Sequence, residues 1–224
     1  MKPVILPSNH PFLFQKSLVD LLLTGNQEVD RLTGGFPRGA ITEICGPTSS
    51  GRTSLLFFAL AAATSAGEAC AYVDTGDTFH PASAAAAGIE LDRLLWVRCG
   101  GNPERALKCA DLLVQAGGFG LIAFDIAGVQ PGVARRIPLS AWFRLRRAIE
   151  PTRTVLALVE QQPNARTAAS LILEMKPGQP LWSGTPRVSQ LLGGASHQAL
   201  LRKPVRSEVA HVRLSLRAEP SRCS

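Results

Sequence analysis

The stretch AITEICGPTSSGRTSLLFFALAAATSAG (Ala40–Gly67) decides the architecture. AITEIC is an apolar run of strand length. TSLLFFALAAATSAG reads as a buried helix that Gly67 closes as a C-terminal stop. Between them lie Gly46, Pro47, Thr48, Ser49, Ser50, Gly51, Arg52 and Thr53, with Ser54 next. A strand, a G-x-x-x-x-G-[K/R]-T loop and a helix make the arrangement that holds phosphate. Glycines let the backbone curl until successive N–H groups face inward, and the following helix adds its positive N-terminal end. Thr53 would offer a hydroxyl to a magnesium ion. The plainer alternative is a Gly/Ser-rich turn with no ligand.

Arg52 stands where this pattern usually has lysine. Lysine is a compact point charge, whereas arginine is a bulkier planar fork. Arginine still neutralises phosphate, so binding survives the exchange while transition-state geometry suffers.

Outward from the loop, EACAYVD (68–74), LLWVR (94–98), GLIAFD (120–125) and TVLALVE (154–160) are further apolar runs of strand length. Helix-like stretches lie near 83–87, 103–116 and 139–149. Apolar strands alternating with helices predict an α/β three-layer sandwich on a mainly parallel sheet. ASLILEM (169–175) follows too closely for a crossover helix and is expected to be an added antiparallel strand. EVAHVRLSLR (208–217) alternates as a half-exposed strand and would form a hairpin with HQALLR (197–202) across Pro204. The expected organisation is an N-terminal segment (1–23), a nucleotide-binding core (24–176) and a β-rich basic extension (177–224).

The whole chain has 224 residues, 46% hydrophobic and 18% charged. That balance buries a core and excludes a disordered chain. No apolar run is long enough to span a membrane, and the start is a poor signal peptide. The five cysteines are odd in number and without CxxC spacing, and Cys45, Cys70 and Cys99, in apolar strand-like runs, read as reduced core thiols of a cytoplasmic protein. The net charge of +7 is concentrated. Residues 131–153 hold six arginines against one glutamate, and 186–224 hold seven basic residues against two glutamates. Such patches suit an anionic partner or serve as a solvated surface.

The chain resembles the RecA family of recombination ATPases over roughly residues 20–175. The resemblance is carried by Thr24-Gly25, Asp30, the run Gly34 to Gly39, Glu43, the phosphate loop, AYVDTGDTFHP (71–81), and Ala87 to Asp92 with Leu94-Leu95. Within that family LDRLLWVRC and ERALKCADLLVQAGGFGLIAFD are similar to the ImuA group of mutagenic-repair accessory proteins. The resemblance implies ATP or ADP with Mg2+ as cofactor and a RecA-like (P-loop NTPase) sheet. It also implies work in translesion synthesis beside repair proteins such as a polymerase-like subunit.

Carried over residue by residue, Asp125 matches the family's second nucleotide motif and would hold the magnesium shell. Its alternative is a strand-ending acid that caps a turn. The family's hydrolytic glutamate falls on Gly76, which supplies no carboxylate. Asp77 and Glu160 are the weak substitutes, and Gln161 matches the γ-phosphate-sensing glutamine. The segments that carry DNA in RecA proteins are reduced to AGVQPGVARRI (127–137) and QPNART between Gln161 and Ala168, so strand exchange is not expected. Arg135 and Arg136, in a loop, and Arg213 and Arg217, along the C-terminal strand, would meet single-stranded DNA or an acidic partner. SAWFRLRRAI (140–149) reads as an amphipathic helix covering the core. HPFLFQKSLVDLLLTG (10–25) reads as a self-association segment or as a helix packed on its own domain. Three functions remain open: an accessory protein with weak or no hydrolysis, an active DNA-dependent ATPase, and a nucleotide-free scaffold.

Overall fold

The computed structural model describes residues 20–185, 189–204 and 209–215. In chain order the elements are β1 (Leu21–Leu22), α1 (Gln27–Thr33), β2 (Phe36–Pro37), β3 (Ala40–Cys45), α2 (Arg52–Ser65), β4 (Cys70–Asp74), α3 (Pro81–Ala86) and β5 (Leu94–Arg98). They continue with α4 (Pro103–Ala116), β6 (Leu121–Asp125), α5 (Pro131–Ala134), α6 (Leu139–Ile149), β7 (Val155–Glu160), β8 (Leu171–Thr185), β9 (Ser189–Lys203) and β10 (Val209–Ser215). The main sheet runs β10-β9-β8-β3-β7-β6-β4-β5. The small strands β1 and β2 pair by themselves.

Side-chain alternation builds the layers. Along β7, Val155, Ala157 and Val159 face one core, and Leu156 and Leu158 face the other. The first core takes α1 and α2 through Val29, Leu32, Leu55, Leu56, Ala59, Leu60 and Ala63. The second takes α4 and α6 through Ala106, Ala110, Val114, Trp142, Leu145 and Ile149. β3, β4, β6 and β7 are buried along their whole length, as central parallel strands must be. Helix starts obey local chemistry: Asn26 caps α1 by accepting from Val29, and Asn102 caps α4 by accepting from Arg105 ahead of Pro103.

The expected α/β architecture, with antiparallel strands added at the C-terminal side, is what the chain adopts. One direction was misread. The strand predicted at 169–175 is parallel to β3, with Thr42 opposite Leu171 and Cys45 opposite Glu174. β7 and β8 flank β3 on opposite sides, so the chain crosses β3 between them. Ten residues suffice because one 3-10 turn at Arg166–Ala168 replaces a crossover helix. The antiparallel addition begins at β9, and the hairpin of β9 with β10 forms as expected. β8 runs unbroken through residue 176, so core and extension share one sheet. Of the expected N-terminal segment at 10–25, residues 10–19 lie outside the described residues, and 20–25 carry the short strand β1 instead of a helix.

Candidate functional site

The phosphate loop leaves the C-terminal end of β3 and enters α2, the place where open α/β sheets receive ligands. Its shape depends on residues that tolerate unusual backbone. Ser49 has φ 58° and Gly51, the N-cap of α2, has φ 83°. Successive residues alternating into the left-handed region turn their N–H groups into one concavity. A side chain at Gly46 would run into the Met175 carbonyl, so only glycine fits there. Ser50 Oγ is buried without a hydrogen-bond partner. No side chain caps α2, so its first N–H groups remain available to a ligand. The loop therefore fits a phosphate.

Arg52 turns inward. It is 7% exposed and donates from Nη1 to the Glu160 carbonyl at the end of β7. Burial lowers its pKa, against the opposing pull of Asp125 and Glu160. Thr53 and Pro47 to Ser49 are exposed, and Ser54 is half-buried.

Asp125 ends β6 with both oxygens engaged. Oδ2 accepts from the Tyr72 hydroxyl at 2.6 Å, and Oδ1 accepts from the Ala127 N–H at 2.9 Å. Burial raises its pKa, and the Tyr72 bond works against that rise. A carboxylate has four lone-pair sites, so acceptor capacity for a metal-bound water remains. Among the described residues no three His, Cys, Asp or Glu side chains cluster as a metal site. Magnesium here would rest on waters and phosphate oxygens, with Thr53 and Asp125 contributing from the protein.

The acids considered for water activation all have other partners. Gly76 is exposed and lacks a side chain. Asp77, at φ 54°, points to Arg98 at 3.3 Å, and Arg98 in turn lies over the Trp96 ring at 5.2 Å. Asp74 accepts from the N–H groups of Thr78 and Phe79 and from Trp96 Nε1. Glu160 is 1% exposed and bonds Asn164 through both carboxyl oxygens. Burial pushes its pKa well up, with Glu43 adding to the rise.

Gln161 donates to the Ala127 carbonyl at 3.0 Å, and Arg135 donates to Gln162 Oε1. The two reduced segments at 127–137 and 161–168 are thus bonded to each other. The first of them contains α5, and Arg135 and Arg136 follow that helix with exposed side chains instead of sitting in an open loop. Arg213 lies in β10, and Arg217 lies outside the described residues. α6 is the expected amphipathic helix, burying Trp142, Leu145 and Ile149 and leaving Arg144 and Arg147 in solvent.

Sequence reasoning assigned no role at the site to Glu43, Asn164 or Tyr72. Glu43 is fully buried and accepts from the N–H groups of Asn164, Ala165 and Arg166 at 2.8, 2.6 and 3.0 Å. Its signal was available: an acid inside the otherwise uncharged strand AITEIC.

No helix of the described residues is long and apolar enough to cross a membrane. A solved structure of the RadB recombinase superposes with a TM-score of 0.63 at 22% identity, covering 86% of this chain and 96% of RadB. Protein RecA of Leifsonia xyli subsp. xyli is 33% identical over 163 residues, 66% of this chain and 45% of that protein. Protein RecA of Deinococcus radiodurans is 39% identical over 116 residues, 50% of this chain and 32% of that protein. The chain spans less than half the length of these relatives. The RecA N-terminal domain matches residues 14–134, more than half of the chain, and by that match the protein belongs to the RecA family.

Proposed function

We propose that this protein is a DNA-repair accessory member of the family, of the ImuA type. It binds ATP or ADP with Mg2+ at the variant phosphate loop, hydrolyses it weakly or not at all, and acts by assembling with repair partners during translesion synthesis. One observation carries the reading. The loop is shaped for phosphate, yet each nearby acid is bonded elsewhere: Asp77 to Arg98, Asp74 to Trp96, Glu160 to Asn164. The bound group would supply a phosphoanhydride. The chain's own residues would cradle it through backbone N–H groups, with Asp125 given to the magnesium shell and Asp74, Asp77 and Glu160 turned to other partners instead of to an attacking water. The bonded pair of segments at 127–137 and 161–168 supports docking over a DNA clamp.

The test joins two measurements. A fluorescent ATP analogue is titrated with and without magnesium, and phosphate release is followed with and without single-stranded DNA. Magnesium-dependent binding with negligible turnover is expected. Absence of binding at millimolar nucleotide would replace the proposal with a nucleotide-free scaffold. Turnover that Asp77→Ala abolishes would replace it with an active ATPase.

A further inference from the structure

We infer that Glu43 and Glu160 form a one-proton latch that holds segment 161–168 closed across the end of the sheet. Both side chains face the α4–α6 side of adjacent strands, since β3 and β7 pair in parallel with Cys45 opposite Glu160 and Glu43 opposite Leu158. Both accept from one donor, the Asn164 N–H, Glu43 at 2.8 Å and Glu160 at 3.2 Å. Two buried carboxyls meeting at one N–H cannot both ionise without severe repulsion, so the pair keeps a proton between them.

The division of labour follows from the bonds. Glu43 takes the three backbone N–H bonds that hold the segment. Glu160 shares the Asn164 N–H with Glu43, and burial favours its neutral form, so Glu160 carries the proton. With the proton in place, Asn164, Ala165 and Arg166 are held, and Arg166 sits at φ 47°. Lys203 of β9 donates to the Thr167 carbonyl at 3.1 Å and to the Ala169 carbonyl, closing the far end of the segment. The other groups on this side are Cys45, which feels the charge of both carboxyls, Glu174, which lies opposite Cys45 and pairs with Arg202, and Arg52, which bonds the Glu160 carbonyl. The latch thus adjoins the phosphate loop without needing a nucleotide, so its test is independent of the proposed cofactor.

The latch makes a signed prediction. A closed-state pKa raised above the open-state value means that the closed segment binds more protons. Opening therefore becomes easier as pH rises from the ordinary glutamate range toward the closed-state pKa. The experiment is amide hydrogen exchange on the full chain at a series of pH values, corrected for intrinsic rates. The N–H groups of Asn164, Ala165 and Arg166 are compared with that of Ile122 in the core. Their protection should fall by about tenfold per pH unit across that window, while Ile122 stays flat. In Glu160→Gln the amide donates permanently to Glu43, and protection should become flat. A flat profile in the wild-type chain, or a slope that persists in Glu160→Gln, overturns the latch. If the variant fails to fold, the wild-type profile decides alone.

Discussion

Replacing Gly76 with glutamate tests whether the missing carboxylate is what limits hydrolysis. The position tolerates a side chain. Its φ lies outside the left-handed region, and an added Cβ would sit 3.3 Å from Thr78 Cγ2 and 3.8 Å from Gly128 Cα. The Thr78 methyl must yield by a few tenths of an ångström, a small cost on an exposed loop. Loss of glycine's freedom in the unfolded chain returns about 0.4–1 kcal/mol, so net stability should change by less than about 1 kcal/mol. A positioned general base contributes about 10²- to 10⁴-fold to rate, or roughly 3–5 kcal/mol of barrier. Gly76→Glu should therefore release phosphate from ATP at least about 10²-fold faster than the wild-type chain while unfolding at a similar urea midpoint. The increase should approach the lower bound, because Arg52 still points at the Glu160 carbonyl instead of into the loop. A variant that is folded and still binds the ATP analogue, but releases phosphate no faster, would falsify the argument. The barrier would then lie in the Arg52 geometry.

Two further substitutions probe the scaffold behind the site. Tyr72→Phe keeps the ring contacts with Phe57 and Phe79 but removes the 2.6 Å donation to the buried Asp125 carboxyl. It should cost about 1.5–3 kcal/mol in urea unfolding, and a loss under about 0.5 kcal/mol would show that Asp125 does not depend on it. Trp142 is fully buried, packs on Phe124 at 5.9 Å, and has its indole N–H without a partner. Trp142→Ala should cost about 3–5 kcal/mol, and Trp142→Phe clearly less, because phenylalanine removes the orphaned donor along with the volume. Equal losses in both variants would contradict the assignment of that N–H.

What the sequence made legible is what short-range pattern encodes. Strands β3, β4, β6 and β7 are runs of apolar residues buried on both faces, and such runs announce a parallel sheet wherever they occur. The phosphate loop is local, so spacing sufficed. Strand direction at β8 is not local. Ten residues fit a hairpin or a compact crossover, and the choice falls to packing over β3. The length of β8 was hidden for a related reason. Pro177, Gly178 and Pro180 look like punctuation, yet the ladder absorbs Pro177 and Gly178 in a register shift between Lys176 and Gln179, the kind of bulge where proline is tolerated, and pairs Pro180 with Ala195. The site shows the same limit more sharply. Asp74, Asp125 and Glu160 can all be placed at strand ends from the sequence, and strand ends are where ligands bind. Their availability depends on partners elsewhere in the chain: Trp96 for Asp74, Tyr72 for Asp125, Asn164 for Glu160. A strand-end carboxylate becomes a candidate base only when its lone pairs are free, and that is a property of the folded neighbourhood. On the proposed reading Gly76 marks only part of a departure from a hydrolytic site, because Asp74, Asp125 and Glu160 are each bonded within the fold.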